Sequence, residues 1–150
     1  MLFSIGFAND LFYKYVSKDE KRFAESLYVN IEQLHEMSEK GMYIGCHSYN
    51  HFWLNSLNPS EQVVEIEKSL EFMKIVRTPQ RNWVMCYPYG GYNESLIKII
   101  KDKGCALAFG VEMGIANLNH RNCFTLERLD TKDLPITVDS KPNEWTKKVI

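Results

Sequence analysis

The sequence predicts an α/β fold in which parallel strands alternate with helices, and three observations carry that reading. Apolar residues recur at helical spacing in three separate stretches. Short runs of strand-forming residues stand between them, and Gly or Asn-Pro punctuation marks the junctions. Strands separated by helices are joined by right-handed crossovers, so the chain builds part of a (β/α) barrel or an open parallel sheet.

Residues 19–40 place Phe23, Leu27, Ile31, Leu34 and Met37 three or four positions apart, which predicts one helix with a single buried stripe, ended by Gly41. A strand is expected at 43–47. Asn58-Pro59-Ser60-Glu61 then supplies a cap, a proline suited to the first helical position and an acidic first turn. Val63, Ile66, Leu70 and Met73 mark the buried face of the helix that follows, to about Val76. The next strand, 83–87, stops at Pro88 and Gly90, and Asn93 caps a helix over 94–103 that Gly104 terminates. Cys105 to Phe109 is the following strand and Phe124 to Leu126 the last.

A chain of 150 residues with 45% hydrophobic content buries a core without disulfide support, and no linker or low-complexity tract interrupts it, so 1–150 reads as a single domain. The formal net charge of -1 and the lack of a basic stripe argue against nucleic acid or an anionic membrane as the main partner. The apolar start from Met1 to Phe7 is too short to span a bilayer. Cys46, Cys86, Cys105 and Cys123 are scattered rather than paired as Cys-x-x-Cys. They read as reduced core residues, which favours a cytoplasmic setting.

The chemistry concentrates in two loops. In Tyr43-Ile44-Gly45-Cys46-His47-Ser48-Tyr49-Asn50-His51, two imidazoles stand four residues apart just after a strand-like run. Neutral imidazole suits zinc and similar divalent ions, and a loop at a strand end can aim both rings at one point while leaving coordination positions open. The same spacing also suits two ordinary polar histidines. The second loop, Cys86-Tyr87-Pro88-Tyr89-Gly90, repeats the helix, strand and loop plan. In a parallel sheet both loops lie at the carboxyl edge, where ligands bind. Phe52 and Trp53 are either a stacking platform for a ligand or ordinary core packing. Ser48 lacks a Gly-x-Ser-x-Gly elbow, and Cys46 and His47 face opposite sides of a strand, so neither serves as a nucleophile.

Together these residues resemble the NodB-type polysaccharide deacetylases, carbohydrate esterase family 4, over about residues 30 to 135. His47-Ser48-Tyr49-Asn50-His51 matches the family's His-Ser/Thr-x-x-His metal motif, and Cys86-Tyr87-Pro88-Tyr89-Gly90 is similar to its Arg-x-Pro-Tyr/Phe-Gly groove motif. Glu127 to Pro135 resembles the strand that closes the domain in one branch. The resemblance implies an incomplete form of a distorted seven-stranded (β/α) barrel and a hydrolase that removes acetyl groups from a polysaccharide or amino sugar. It assigns a divalent metal, zinc foremost, to His47 and His51, and the oxyanion-binding backbone N–H to Tyr89. Tyr87, Pro88, Trp53, Arg128 and Asp130 are expected to contact substrate.

Departures from the family pattern are equally informative. The family's opening strand ends in Thr-Phe-Asp-Asp, which supplies the general base and the third metal ligand, and no such segment occurs. The chain opens instead on what resembles the region after the second strand, with Asp10 expected as a helix cap or solvated carboxylate. Cys86 stands where many members have Arg, no Leu-x-His follows, and His120 reads as an exposed loop residue. Impaired catalysis is therefore expected, with a non-catalytic carbohydrate-binding or oligomerising relative as the alternative. A barrel lacking its opening unit has an unpaired sheet edge, which implies a homodimer.

Overall fold

The computed structural model describes residues 2–118, 123–137 and 139–149, so His120 lies outside the described residues. The chain divides into two compact units, Met1–Met42 and Tyr43–Ile150.

The first unit is helical: α1 (Leu2–Tyr15), α2 (Glu20–Leu27) and α3 (Ile31–Glu39). The single helix expected over 19–40 is therefore two, and Asn30 is the cause. Its side chain accepts the Gln33 N–H at 2.8 Å while the Gln33 side chain accepts the Asn30 N–H at 2.9 Å. This capping box starts a new helix where the apolar spacing alone runs on. The expected stripe is only partly covered: Phe23, Leu34 and Met37 are half-buried, and Leu27 and Ile31 are exposed. Phe23 packs edge-on against Phe12 at 5.3 Å between ring centroids. Gly41, at φ 84, closes α3 as expected, with Met42 N–H bonded to Met37 O and Gly41 N–H to Ser38 O. Asp10 sits within α1 and is exposed, so it is a solvated carboxylate and not a cap.

The second unit is a parallel sheet with helices. Strands β1 (Trp83–Cys86), β2 (Cys105–Met113) and β3 (Leu126–Arg128) pair in that order, both pairs parallel, as the alternation of elements requires. Val84, Met85 and Cys86 align with Leu107, Ala108 and Phe109. The last strand begins two residues later than expected, and β2 runs four residues past Phe109. Helix α4 (Pro59–Ile75) and helix α5 (Glu94–Asp102) start at Asn58 and Asn93, whose side chains accept the N–H of Glu61 and Leu96. Elements not anticipated in this unit are the 3-10 turns at Leu54–Ser56, Pro88–Gly90 and Thr131–Asp133 and helix α6 (Glu144–Val149).

The strand expected at 43–47 contracts to one parallel bridge, Cys46 to Met85. Cys46 N–H donates to Val84 O and Cys86 N–H to Cys46 O, both at 2.9 Å. A longer strand would use the Val84 N–H next, but that donor goes to the Tyr43 hydroxyl at 2.8 Å. A side chain thus ends the ladder that the sequence pattern would have continued.

Helix α4 is also turned from its expected face. Gln62, Glu65, Ile66, Ser69 and Met73 are buried, whereas Val63 and Leu70 are half-buried. Three polar side chains face inward because each finds partners there. Gln62 Nε2 donates to Leu54 O at 2.9 Å, Ser69 Oγ donates to Glu65 O at 2.9 Å, and Glu65 reaches the 48–50 loop. Trp83, Met85, Tyr87, Ile66, Leu96, Ile100 and Ala108 form the centre of the core. All four cysteines are free, with Cys46 and Cys105 buried. Among the described residues no helix is long and apolar enough to cross a membrane.

Candidate metal centre and groove

The bridge at Cys46 delivers His47 to the carboxyl end of the sheet. His47 Nδ1 lies 2.7 Å from Cys86 O, a carbonyl that can only accept, so Nδ1 carries the proton and Nε2 presents a lone pair. His51 Nε2 stands 3.1 Å from that Nε2, with the ring centroids 4.9 Å apart. Two nitrogens each about 2.05 Å from a tetrahedral zinc would be about 3.3 Å apart, close to the 3.1 Å between these two atoms. The His51 Nδ1 faces the Tyr89 hydroxyl at 3.2 Å. Without a cation the same geometry closes as a chain from Tyr89 O–H to His51 Nδ1, His51 Nε2–H to His47 Nε2, and His47 Nδ1–H to Cys86 O. Among the described residues no cluster of three His, Cys, Asp or Glu side chains that could hold a metal occurs.

The backbone around the pair is strained in a specific way. Ser48, His51 and Tyr89 have φ of 64°, 57° and 55°, a left-handed conformation uncommon outside glycine. Glu65, which the sequence pattern did not single out, explains how the first loop holds. One oxygen accepts the Ser48 hydroxyl at 2.7 Å and the Asn50 N–H at 2.9 Å, and the other accepts the Asn50 side-chain amide. Burial alone would raise the Glu65 carboxyl. The N–H of Asn50, the Ser48 hydroxyl, the Asn50 amide and the Tyr49 N–H outweigh that and hold it below the usual carboxylate range.

The second loop is a tight turn. Gly90, at φ 70, follows left-handed Tyr89, and Gly91 N–H returns to Pro88 O at 3.0 Å. Two successive left-handed residues make a type I′ turn, with glycine at the second central position where it costs least. The turn lifts the Tyr89 ring outward, 57% exposed, and leaves its N–H without an acceptor among the described residues. Rings then follow one another: His51 to Tyr89 at 4.8 Å and Tyr89 to Trp53 at 5.0 Å. Trp53 is 55% exposed and Phe52 49%, so neither is core packing.

The other four expected substrate contacts divide into two buried and two exposed residues. Tyr87 is 1% exposed, its hydroxyl donating to Phe124 O at 3.0 Å and its ring 5.0 Å from Tyr92; burial pushes its hydroxyl above the usual range. Pro88 is fully buried as well. Both support the turn from beneath, because the chain leaving β1 runs on through the core before it turns. Arg128 and Asp130 are exposed and line a concavity of about 430 Å³ with Met113 and with Val111, which lies against Gly90. They form no ion pair with each other. The Lys132 N–H and the Thr131 hydroxyl hold the Asp130 carboxyl below its usual range, where it caps the 3-10 turn.

Comparison with known proteins adds three findings. The family model described as polysaccharide deacetylase matches residues 16–108. A curated relative from Bacillus subtilis (strain 168), YxkH, which carries a polysaccharide deacetylase name, is 29% identical over 97 residues, covering 65% of this chain and 34% of the relative. The chain therefore spans about a third of that relative's length. Among solved structures, the Streptococcus pyogenes deacetylase PplD in complex with acetate superposes with a TM-score of 0.62 at 25% identity, over 67% of this chain and 44% of that one. IcaB from Ammonifex degensii shares the fold at a TM-score of 0.52 and 23% identity, over 69% of this chain and 48% of that one. An α/β arrangement with a partial parallel sheet is consistent with an incomplete barrel of the deacetylase type.

Proposed function

This chain belongs to the polysaccharide deacetylase family, and from that premise we propose that it is a metal-dependent hydrolase acting on acetyl groups of a polysaccharide or amino sugar, weakened by an incomplete ligand set. The observation that carries the reading is the 3.1 Å approach of the two Nε2 atoms. His47 and His51 would hold the ion, zinc foremost, through those atoms. When bound, such an ion lowers the pKa of a coordinated water to about 7 and offsets charge on the acetyl carbonyl.

The rest falls to the protein. His47 keeps its donor tautomer through Cys86 O, so its Nε2 stays available. The Tyr89 N–H, fixed by the Pro88–Gly91 turn, is the donor for the developing oxyanion, a role worth roughly 3 kcal/mol when preorganised. Exposed Tyr89 and Trp53 offer aromatic faces for sugar rings. A missing base lowers the rate about a hundredfold or more. The lack of a third ligand beside the two imidazoles among the described residues favours a second reading, a carbohydrate-binding relative that keeps the groove without turnover. The sheet edge at Cys46 is paired on one side only among the described residues, which supports the expected edge-paired homodimer.

Acetate release from an N-acetylated oligosaccharide, measured with zinc for the wild type and His47→Ala, tests the proposal. Turnover abolished by the substitution supports the hydrolase. Metal and glycan binding without turnover supports the second reading, and neither binding refutes both.

A further inference from the structure

Glu65 is an unexpected residue for packing alone. It is 4% exposed, carries a carboxylate, and makes no ion pair among the described residues, an arrangement that is costly unless polar partners compensate. The partners of its carboxylate come from one place: the Ser48 hydroxyl, the Tyr49 N–H, and the Asn50 N–H and amide. Residues 48–50 are the whole span between His47 and His51. Left-handed Ser48 opens that span and left-handed His51 follows it, conformations that a free chain rarely adopts and that need holding.

We propose that Glu65 is a positioning residue for the two imidazoles. It locks the 48–50 span from helix α4, so that the two Nε2 atoms already stand at a cation-binding separation before an ion arrives. This inference rests on the reading of His47 and His51 as ligands, while Glu65 itself ligates nothing, since both its oxygens are engaged by the loop. A loop ordered in advance loses less freedom on binding, which appears as affinity. A residue that only stabilised the fold would leave the pair unchanged once removed from a protein that still folds.

Glu65→Ala, Glu65→Gln and the loop-side double variant Ser48→Ala/Asn50→Ala separate these roles. Two readouts apply: zinc affinity by calorimetry, and the imidazole nitrogen spectrum of the metal-free protein at pH 8, which reports tautomers. Glu65→Ala is expected to weaken zinc binding on the order of 10- to 100-fold and to replace the single His47 Nδ1–H tautomer with an averaged mixture. Glu65→Gln, which keeps one carbonyl for Ser48 and Asn50, should stay within about threefold of wild type. A folded Glu65→Ala protein with wild-type affinity and a wild-type spectrum would overturn the proposal. Where Glu65→Ala does not fold, the double variant decides: a weakened, averaged pair supports the lock, and an unchanged pair overturns it. A wild-type protein that takes up no zinc would sink the ligand reading, while the metal-free spectra still decide the role of Glu65.

Discussion

Adding one methyl group at Gly90 tests the turn that presents Tyr89. Gly90 sits at φ 70, and a Cβ there would lie 2.4 Å from Val111 Cγ2, 2.8 Å from Cγ1 and 3.1 Å from Cβ. Val111 is 53% exposed, so its methyls can rotate away, but the contact with its Cβ cannot be relieved by rotation. Gly90→Ala thus incurs about 1–2 kcal/mol for a left-handed residue with a side chain, and a further ~1 kcal/mol or more for overpacking. A total of about 2–4 kcal/mol lowers Tm by roughly 5–15 °C in a chain of this size. Gly91→Ala is the matched control. Gly91 has φ -76, which alanine tolerates, yet its Cβ would lie 2.4 Å from Trp53 Cδ1 and 2.6 Å from Asn55 Oδ1. Exposed Trp53 and Asn55 can both swing aside, at the loss of the Trp53 ring contact with Tyr89, about 0.5–1.5 kcal/mol. Circular dichroism melts and tryptophan fluorescence measure both. Gly90→Ala melting within about 2 °C of wild type would refute the left-handed turn.

Two further outcomes follow from the buried polar groups. Tyr87→Phe should cost about 0.5–1.5 kcal/mol of stability in denaturant titration, through the lost bond to Phe124 O, while leaving glycan affinity unchanged; a selective loss of glycan binding would restore Tyr87 as a substrate contact. Stability should fall at both ends of the pH scale. The Glu65 carboxyl is held low in the folded state, so its contribution is present above the unfolded value of about 4.3 and is lost as pH falls through the folded value. Burial raises the Cys46 and Cys105 thiols, the latter to about 12, so their contribution is present below about pH 8.5 and is lost as pH rises through the folded values. Urea midpoints between pH 3 and 11 check both limbs, and a flat profile contradicts them.

Much of this fold was legible because it depends on periodicity and punctuation. Asn58, Pro59 and Asn93 start helices where their side chains can cap, and parallel pairing follows from the alternation of elements. The split at Asn30 was also written in the sequence, as Asn-x-x-Gln, but the apolar spacing of Leu27 and Ile31 masks it. The shortened strand at Cys46 was not legible, because the hydroxyl of Tyr43, within the expected strand, takes the ladder's next donor from Val84, 41 residues away in sequence. Of the site, the two imidazoles and the Tyr89 turn follow from local motifs. Glu65 does not, since a buried carboxylate on a helix has no periodic signature; only its partners reveal it. The burial of Tyr87 and Pro88 was not legible, because motif membership says nothing about which side of a turn faces solvent.

Calorimetric titration of the metal-free chain with zinc, set beside His47→Ala and His51→Ala, addresses the paired imidazoles most directly. The 3.1 Å Nε2 separation predicts one equivalent of zinc per chain, with either substitution abolishing saturable binding. No uptake by the wild type, or wild-type affinity retained by either variant, would contradict it.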